Sequence, residues 1–417
     1  MKSYRWRICG LLFFATTVNY IDRQVIGLLA PRLQEIFNWT ETDYGYIIMS
    51  FQVAYALGLL VAGRFLDKFG VRWGYTISIF IWSVAAACHA MASSIFGFIL
   101  ARFGLALGES GNFPAAIKTV SEWFPVKERA LATGIFNSGS AIGAIIAPLL
   151  VPFLAINFGW QWAFIVTGLL GIVWLFFWLP IYRPPEKTRH LSKEELEYIR
   201  SDHAPEKSIS IPWLKLLTYR QTVGICLCRF LTDAVWWFFL YWLPKYLNTQ
   251  HGLDIQQLGF PLIIIYAFSS IGGIGGGGIS SYFLKIGKSV DYSRKTTVLI
   301  MALLVVPIFS LSYFSNLWVA VVLISMATAA HQGWASNIFA IVPDIYPKNA
   351  VGSVTGLAGF SGAVGGIIFS PLIGFVLDAT GSYYFVFAYA SLSYLLVWLI
   401  LKIFIPKIEP IQLKEIV

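Results

Sequence analysis

Charge is what this chain has least of: Asp, Glu, Lys and Arg make up 12% of its 417 residues, while 57% are hydrophobic. Such a balance, with a mean hydropathy of +0.70, lies far outside the range of soluble globular proteins and points to an integral membrane protein. Cysteine is also scarce. Cys9, Cys88, Cys226 and Cys228 all lie in apolar segments, and Cys226 and Cys228 lack the His and Cys companions of a zinc site, so packing is the role they suggest and no metal is expected. Long polar stretches are missing except for one, between Arg183 and Arg220. No large soluble domain is therefore available to make the chain a sensor.

What fills the sequence instead is a series of apolar runs of about 20 residues, the length that crosses about 30 Å of hydrocarbon. Six are marked at Ile8 to Ala30, Tyr44 to Ala62, Gly74 to Ala92, Ile95 to Ile117, Ala130 to Phe153 and Trp160 to Ile181. Six more run from Val223 to Leu243, Leu258 to Ser281, Thr296 to Phe314, Leu317 to Val342, Val351 to Leu377 and Tyr383 to Ile405. The first is too long, and too poor in small residues at its end, to be a cleaved signal peptide, and is read as a retained helix. Twelve spans put both ends of the chain on one side. The loops and tails of that side hold 25 of the 30 Lys and Arg residues, against Arg32 and Lys245 on the other, so both termini are expected in the cytoplasm. This topology accounts for the net charge of +9 without a nucleic-acid partner.

The expected fold is an all-α polytopic membrane protein with a six-helix half over 1–182, a cytoplasmic linker over 183–220, a second six-helix half over 221–405 and a tail over 406–417. In the linker, Ser192 followed three residues on by Glu195 suggests a capped, short amphipathic helix that tethers the halves. The halves are related by subtraction: Glu122, Pro125, Thr133 and Gly134 recur as Asp344, Pro347, Thr355 and Gly356 at an offset of 222, as do Gly111, Val120 and Gly143 as Gly333, Val342 and Gly365. Duplication of a six-helix unit is the economical account. After the second span comes GRFLDKFGVR, from Gly63 to Arg72. Glycines permit a tight turn, and Asp67 can cap a helix and pair with a base, so Gly63, Asp67 and Arg72 are candidates for a gating latch.

A few charges stand where lipid disfavours them. Asp22 and Arg23 lie in the first span, Arg102 and Glu109 in the fourth, Arg229 and Asp233 in the seventh. Each costs about 2.5 to 3.5 kcal/mol at a helix centre, so retaining several implies use. Arg102 and Glu109, seven apart, share a helix face and are expected to point into one cavity; Asp22 and Arg23 diverge by about 100°. Arg229 and Asp233, four apart, are spaced to neutralise each other. The six charges sum to zero, and protonating Glu109 or Asp22 makes the site positive, which ties proton binding to anion binding. Arginine suits a carboxylate through its planar fork. No His-Glu-x-x-His pair, Ser-His-Asp constellation or Walker loop supports the alternative of a membrane-embedded enzyme.

Two six-helix halves, a cytoplasmic linker and the Gly63 to Arg72 pattern together resemble the major facilitator superfamily. Asn19 to Arg23, ARFGLALGESGNFPAA around Arg102 and Glu109, and EWFPVKERALATGIFNSGSAIGA resemble its anion:cation symporter family. CRFLTDAVWWFFLYWLPKYL and GGGISSYFLKIGKSVDYSRK are similar to bacterial hexuronate carriers. The resemblance implies that Asp22 and Glu109 titrate, that Arg102 couples them, that Arg23 holds the substrate carboxylate and that Tyr20 and Tyr55 line the cavity. Where aldonate-handling relatives carry Gln and Asn, this chain has Ser140 and Gly359, which leaves room for a pyranose ring.

Arg229 is a second candidate anion contact, Trp236 a face for sugar C–H groups, and Ser336 and Asn337 candidate partners for hydroxyls, against the alternative of helix packing. His331 lies 222 residues after Glu109 and is a candidate for binding substrate or modulating coupling, against the alternative of a packing histidine. The expectation is a monomeric secondary transporter in a bacterial inner membrane. It would import a small organic anion, an aldohexuronate, with protons and no cofactor; sodium coupling or exchange of another organic anion is the alternative.

Overall fold

The structure, a computed structural model, describes residues 4–188, 190–200, 213–346 and 348–411, with the side chains at 63, 64, 67, 126, 127, 129–131, 213, 214, 348, 349 and 352 outside the description. Among the described residues there are fifteen α-helices, short 3-10 turns and no strand. The chain divides into two compact units, Met1–Glu206 with Asp254–Gly259, and Lys207–Leu253 with Phe260–Val417.

The first unit contains α1 (Tyr4–Phe37), α2 (Glu41–Cys88), α3 (Ile95–Glu109), α4 (Asn112–Trp123), α5 (Val126–Asn157), α6 (Trp160–Ile181) and α7 (Lys193–Arg200). The second contains α8 (Trp213–Leu216), α9 (Arg220–Tyr241), α10 (Leu243–His251), α11 (Gly259–Lys285), α12 (Val290–Val305), α13 (Leu317–Ile345), α14 (Lys348–Thr380) and α15 (Tyr384–Phe404).

Ten helical stretches among the described residues are long and apolar enough to cross a membrane, two of them within α2. The two further crossings are α1 and the α3–α4 pair. These are the stretches that carry Asp22, Arg23, Arg102 and Glu109; charged residues make α1 less apolar, and the break after Glu109 leaves α3 only 15 residues long. Large apolar side chains such as Phe14, Phe96, Phe176, Ile274 and Leu392 are exposed, as the outer face of a bundle solvated by lipid requires.

Local chemistry explains the main departures from the expected spans. The fourth is interrupted: α3 ends at Glu109 and α4 starts at Asn112, with Gly111 as its cap. The ninth ends as a 3-10 helix, Val306–Tyr313, which Pro307 opens by withholding a backbone donor. The tight turn of the Gly63 to Arg72 segment falls at Gly70, the one residue inside α2 with non-helical angles (φ 70, ψ 161); Gly63 is helical. This conformation is open to glycine and strained for a residue with a Cβ.

Each unit has a close helix pair at positions related by the repeat. In the first, a Cβ added to Gly139 or Gly143 on α5 would collide with the Phe13 or Thr17 carbonyl of α1. In the second, a Cβ at Gly365 on α14 would collide with the Phe230 carbonyl of α9. Gly143 and Gly365, separated by the repeat offset, thus serve the same close approach in their own units.

The short α7 keeps half of the expected capping arrangement, with Ser192 Oγ accepting from the Glu195 N–H at 3.1 Å. The Glu195 carboxylate goes elsewhere. It accepts from the Tyr4 and Arg5 backbone N–H groups at 3.1 and 3.2 Å and from Arg5 Nη1 at 3.1 Å. Arg5 Nε also donates to Glu128 at the start of α5 (2.8 Å), to which Tyr198 of α7 donates from its hydroxyl (2.8 Å). The linker helix is fastened to the first unit. The linker residues 201–212 lie outside the described residues.

Candidate functional site: buried ionic clusters in each unit

In the first unit, four charged side chains converge from α1 and α3, all at most 4% exposed. Arg23 donates from Nη2 and Nε to one oxygen of Glu109, Oε2, at 2.8 and 3.0 Å, and from Nη2 to Asn19 Oδ1 at 3.4 Å. Its guanidinium is walled by aromatic rings, with the centroids of Tyr20, Phe51 and Tyr55 at 5.0, 5.2 and 4.9 Å. Phe51 also lies under Arg102 at 4.5 Å, and Arg102 Nη2 donates to the Arg23 carbonyl at 3.5 Å.

This geometry adds a pairing that helical spacing does not give. Arg102 and Glu109 do share α3, but the partner of Glu109 is Arg23 across the helix boundary. The reason is positional, since Glu109 is the last residue of α3 and Arg23 reaches it from a neighbouring helix. Arg102 lies close enough to influence both Asp22 and Glu109 by its charge. Asp22 turns away from Arg23, as adjacent helical residues must. Neither of its oxygens meets hydrogen-bond geometry with a described group, and the Thr167 hydroxyl of α6 faces it at looser geometry. Glu109 Oε1 is likewise without a partner among the described residues.

In the second unit, Arg229 Nη2 and Asp233 Oδ2 pair at 2.8 Å along α9, as their spacing suggests. Arg229 lies over the ring of Phe339 at 4.8 Å. Gly362 of α14 makes room for the Asp233 carboxylate, which a Cβ there would strike. His331 is 3% exposed. Its ring is stacked on Trp236 (4.9 Å, 5° between planes), and its Nδ1 meets the Tyr394 hydroxyl of α15.

Ser336 and Asn337 make the contacts of packing residues. Ser336 Oγ engages the Gly273 and Gln332 carbonyls (3.1 and 2.9 Å), and Asn337 Nδ2 the Gly276 and Gly333 carbonyls (3.0 and 2.9 Å). Both are held in the seam where the glycines of α11 approach α13, because bare glycine carbonyls lie within reach of short polar side chains there. Ser140 donates to the Asn137 carbonyl of its own helix at 2.7 Å.

Among the gating candidates, Arg72 donates to the Leu179 carbonyl at 2.7 Å, in the last turn of α6, where the helix dipole favours a cation. Asp67 has its side chain outside the described residues. Among the described residues no three His, Cys, Asp or Glu side chains come together as a metal would need.

The structure also adds residues that the sequence did not single out. Phe51 stacks on Tyr55 one turn away, 5.8 Å between centroids, and its spacing of four residues was the available signal. Tyr394, Thr167 and Gly362 carry no motif at all.

The sequence pattern of the Major Facilitator Superfamily matches residues 12–291. A hexuronate transporter of Escherichia coli K12 is 32% identical, over 91% of this chain and 89% of the relative. A galacturonate transporter of Dickeya chrysanthemi is 35% identical over 77% and 94% of the two chains. The crystal structure of a D-xylose-proton symporter superposes with a TM-score of 0.77 at 16% identity, covering 97% of this chain and 99% of the other. The chain is a multi-pass membrane transporter, not an enzyme, and belongs to the major facilitator superfamily.

Proposed function

We propose that this transporter imports a sugar acid, an aldohexuronate such as glucuronate or galacturonate, together with protons. The observation that carries the proposal is the ion pair between Arg23 and Glu109. Arg23 is the fork suited to the substrate carboxylate, and it is already occupied by a carboxylate of the protein. An anion gains Arg23 by displacing Glu109, and Glu109, once displaced in a dry site, needs either another cation or a proton. Protonation releases Arg23 and leaves the cluster one positive charge richer. Anion and proton therefore favour each other's binding, which is the thermodynamic content of symport.

Asp22 is a second carboxyl placed to take up a proton, with Arg102 between the two as the shared charge. Tyr20 and Tyr55, which wall Arg23, offer flat faces to the C–H groups of a sugar ring. Arg229 is the candidate second anion contact. The hexuronate and galacturonate carriers among the relatives favour a uronate over other organic anions. Alternating access exposes such a site to one side at a time. The reading places the protein in the bacterial inner membrane and requires no second subunit.

The test is uptake of labelled glucuronate, galacturonate, galactonate and a dicarboxylate into vesicles carrying the protein. External pH is varied at fixed sodium, and sodium at fixed pH. Accumulation of the uronates that rises with an inward proton gradient and ignores sodium supports the proposal. Sodium dependence, or exchange without accumulation, overturns proton symport; preference for another anion overturns the substrate.

A further inference from the structure

Tyr394 belongs to no motif, yet its hydroxyl reaches from α15 to Nδ1 of His331 on α13. Both side chains are buried, at 0% and 3% exposure. The Trp236 indole lies flat against the imidazole, and the rings of Trp334 and Tyr394 stand 6.0 Å from it. The imidazole is thereby held in one orientation.

The direction of the hydrogen bond follows from counting protons. Among the described residues, His331 Nδ1 is the only hydrogen-bond partner of the Tyr394 hydroxyl. Were Nδ1 to carry the proton and donate it, the phenolic proton would remain buried with no acceptor, a costly arrangement. The phenol therefore donates, Nδ1 accepts, and the proton of the neutral ring resides on Nε2.

His89 shows the opposite case in the same protein. Its Nδ1 faces the Ala85 and Ala86 carbonyls, which only accept, so Nδ1 carries the proton, and its Nε2 is sealed without a partner. Nε2 of His331 also makes no hydrogen bond to a described residue, but it is not among the sealed polar atoms. His331 thus has a donor that its own surroundings do not use.

We infer that Tyr394 is a positioning residue for transport: it fixes the Nε2–H tautomer of His331 and so makes His331 a hydrogen-bond donor to a substrate oxygen, a hydroxyl or carboxylate of the sugar acid. The substrate half of this inference rests on the function proposed above; the tautomer half does not. The charged neighbours are Arg229 and Asp233 on α9, both close enough to act on this pair, and Tyr389 is the other titratable group near Tyr394.

Two measurements test it. The first is a cycle of Tyr394→Phe, His331→Gln and the double variant in uptake assays, the phenylalanine preserving the ring that packs on Trp334. Tyr394→Phe is expected to raise KM about tenfold with maximal rate within about twofold, and to add nothing in the His331→Gln background. Wild-type KM in Tyr394→Phe, or effects of the two changes that simply multiply, overturns the positioning role.

The second measurement is the 15N spectrum of histidine-labelled protein in lipid nanodiscs, with the His331 signals assigned by their loss in His331→Gln. Protonated Nε2 and unprotonated Nδ1 are expected, with the preference lost in Tyr394→Phe; the reverse tautomer overturns the inference. If the wild type takes up no uronate, the proposed substrate fails separately, and the cycle is measured on the anion that is transported.

Discussion

Arg23 directs two hydrogen bonds at a single oxygen of Glu109, at 2.8 and 3.0 Å, and leaves the other oxygen without a partner among the described residues. A relaxed arginine–carboxylate pair shares its bonds between both oxygens. The arrangement here holds Glu109 by one side, which suits the exchange of partners proposed above.

Glu109→Gln removes the charge but keeps a polar group at Arg23. We expect exchange of labelled for unlabelled substrate to persist, while accumulation driven by a proton gradient disappears. Counterflow and gradient-driven uptake measured on the same vesicles check this, and normal accumulation in the variant would show that another group carries the coupling proton.

Arg23→Lys keeps the charge and loses the fork. Replacing two directed hydrogen bonds by a point charge is expected to cost about 1.5 to 3 kcal/mol in substrate affinity, a loss of about 10- to 150-fold. Binding measured by calorimetry or by KM decides it; unchanged affinity would assign Arg23 to packing with Glu109 alone.

Gly143→Val sets a branched side chain against the Thr17 carbonyl of α1, and Gly365→Val does the same against Phe230 of α9. Each is expected to destabilise its unit by about 1 to 3 kcal/mol through overpacking. Thermal unfolding in detergent should register both. A variant with wild-type stability would mean that the helix pair separates without loss.

Glu195→Ala removes the acceptor of three hydrogen bonds from Tyr4 and Arg5. A loss of about 1 to 3 kcal/mol is expected, since two buried backbone donors and a guanidinium lose a partner. The midpoint of thermal unfolding measures it, and Glu195→Gln, which retains an acceptor, should recover part of the loss.

Hydrophobic run length made the crossings legible because the membrane imposes one length on all of them. The charges inside the runs marked the candidate site for the same reason: the medium makes them conspicuous. Pairing was less legible. Helical spacing within α3 suggested that Arg102 and Glu109 act together, but spacing describes one helix, while the partner of Glu109 comes from α1 and depends on where α3 stops.

Arg229 and Asp233 both lie on α9, where spacing of four residues does suffice to bring them together. Ser336 and Asn337 showed the limit in another form. Their polarity was visible, and the glycine run at 272–278 of α11 signals a close approach, but nothing in the sequence says that the Gly273 and Gly276 carbonyls meet these two side chains of α13.

The hydrogen bonds from Tyr4 and Arg5 to Glu195 span 190 residues or more of chain. The backbone groups that open the first helix are thus satisfied by a side chain made after all six crossings of its own unit. During synthesis, α1 must enter the membrane with these donors still facing water. Only when the linker helix emerges does the carboxylate arrive to close them. The contact is thus a closure on the sixth crossing rather than a start, and a nascent chain halted before residue 195 would hold its helices with the first turn of α1 unfastened.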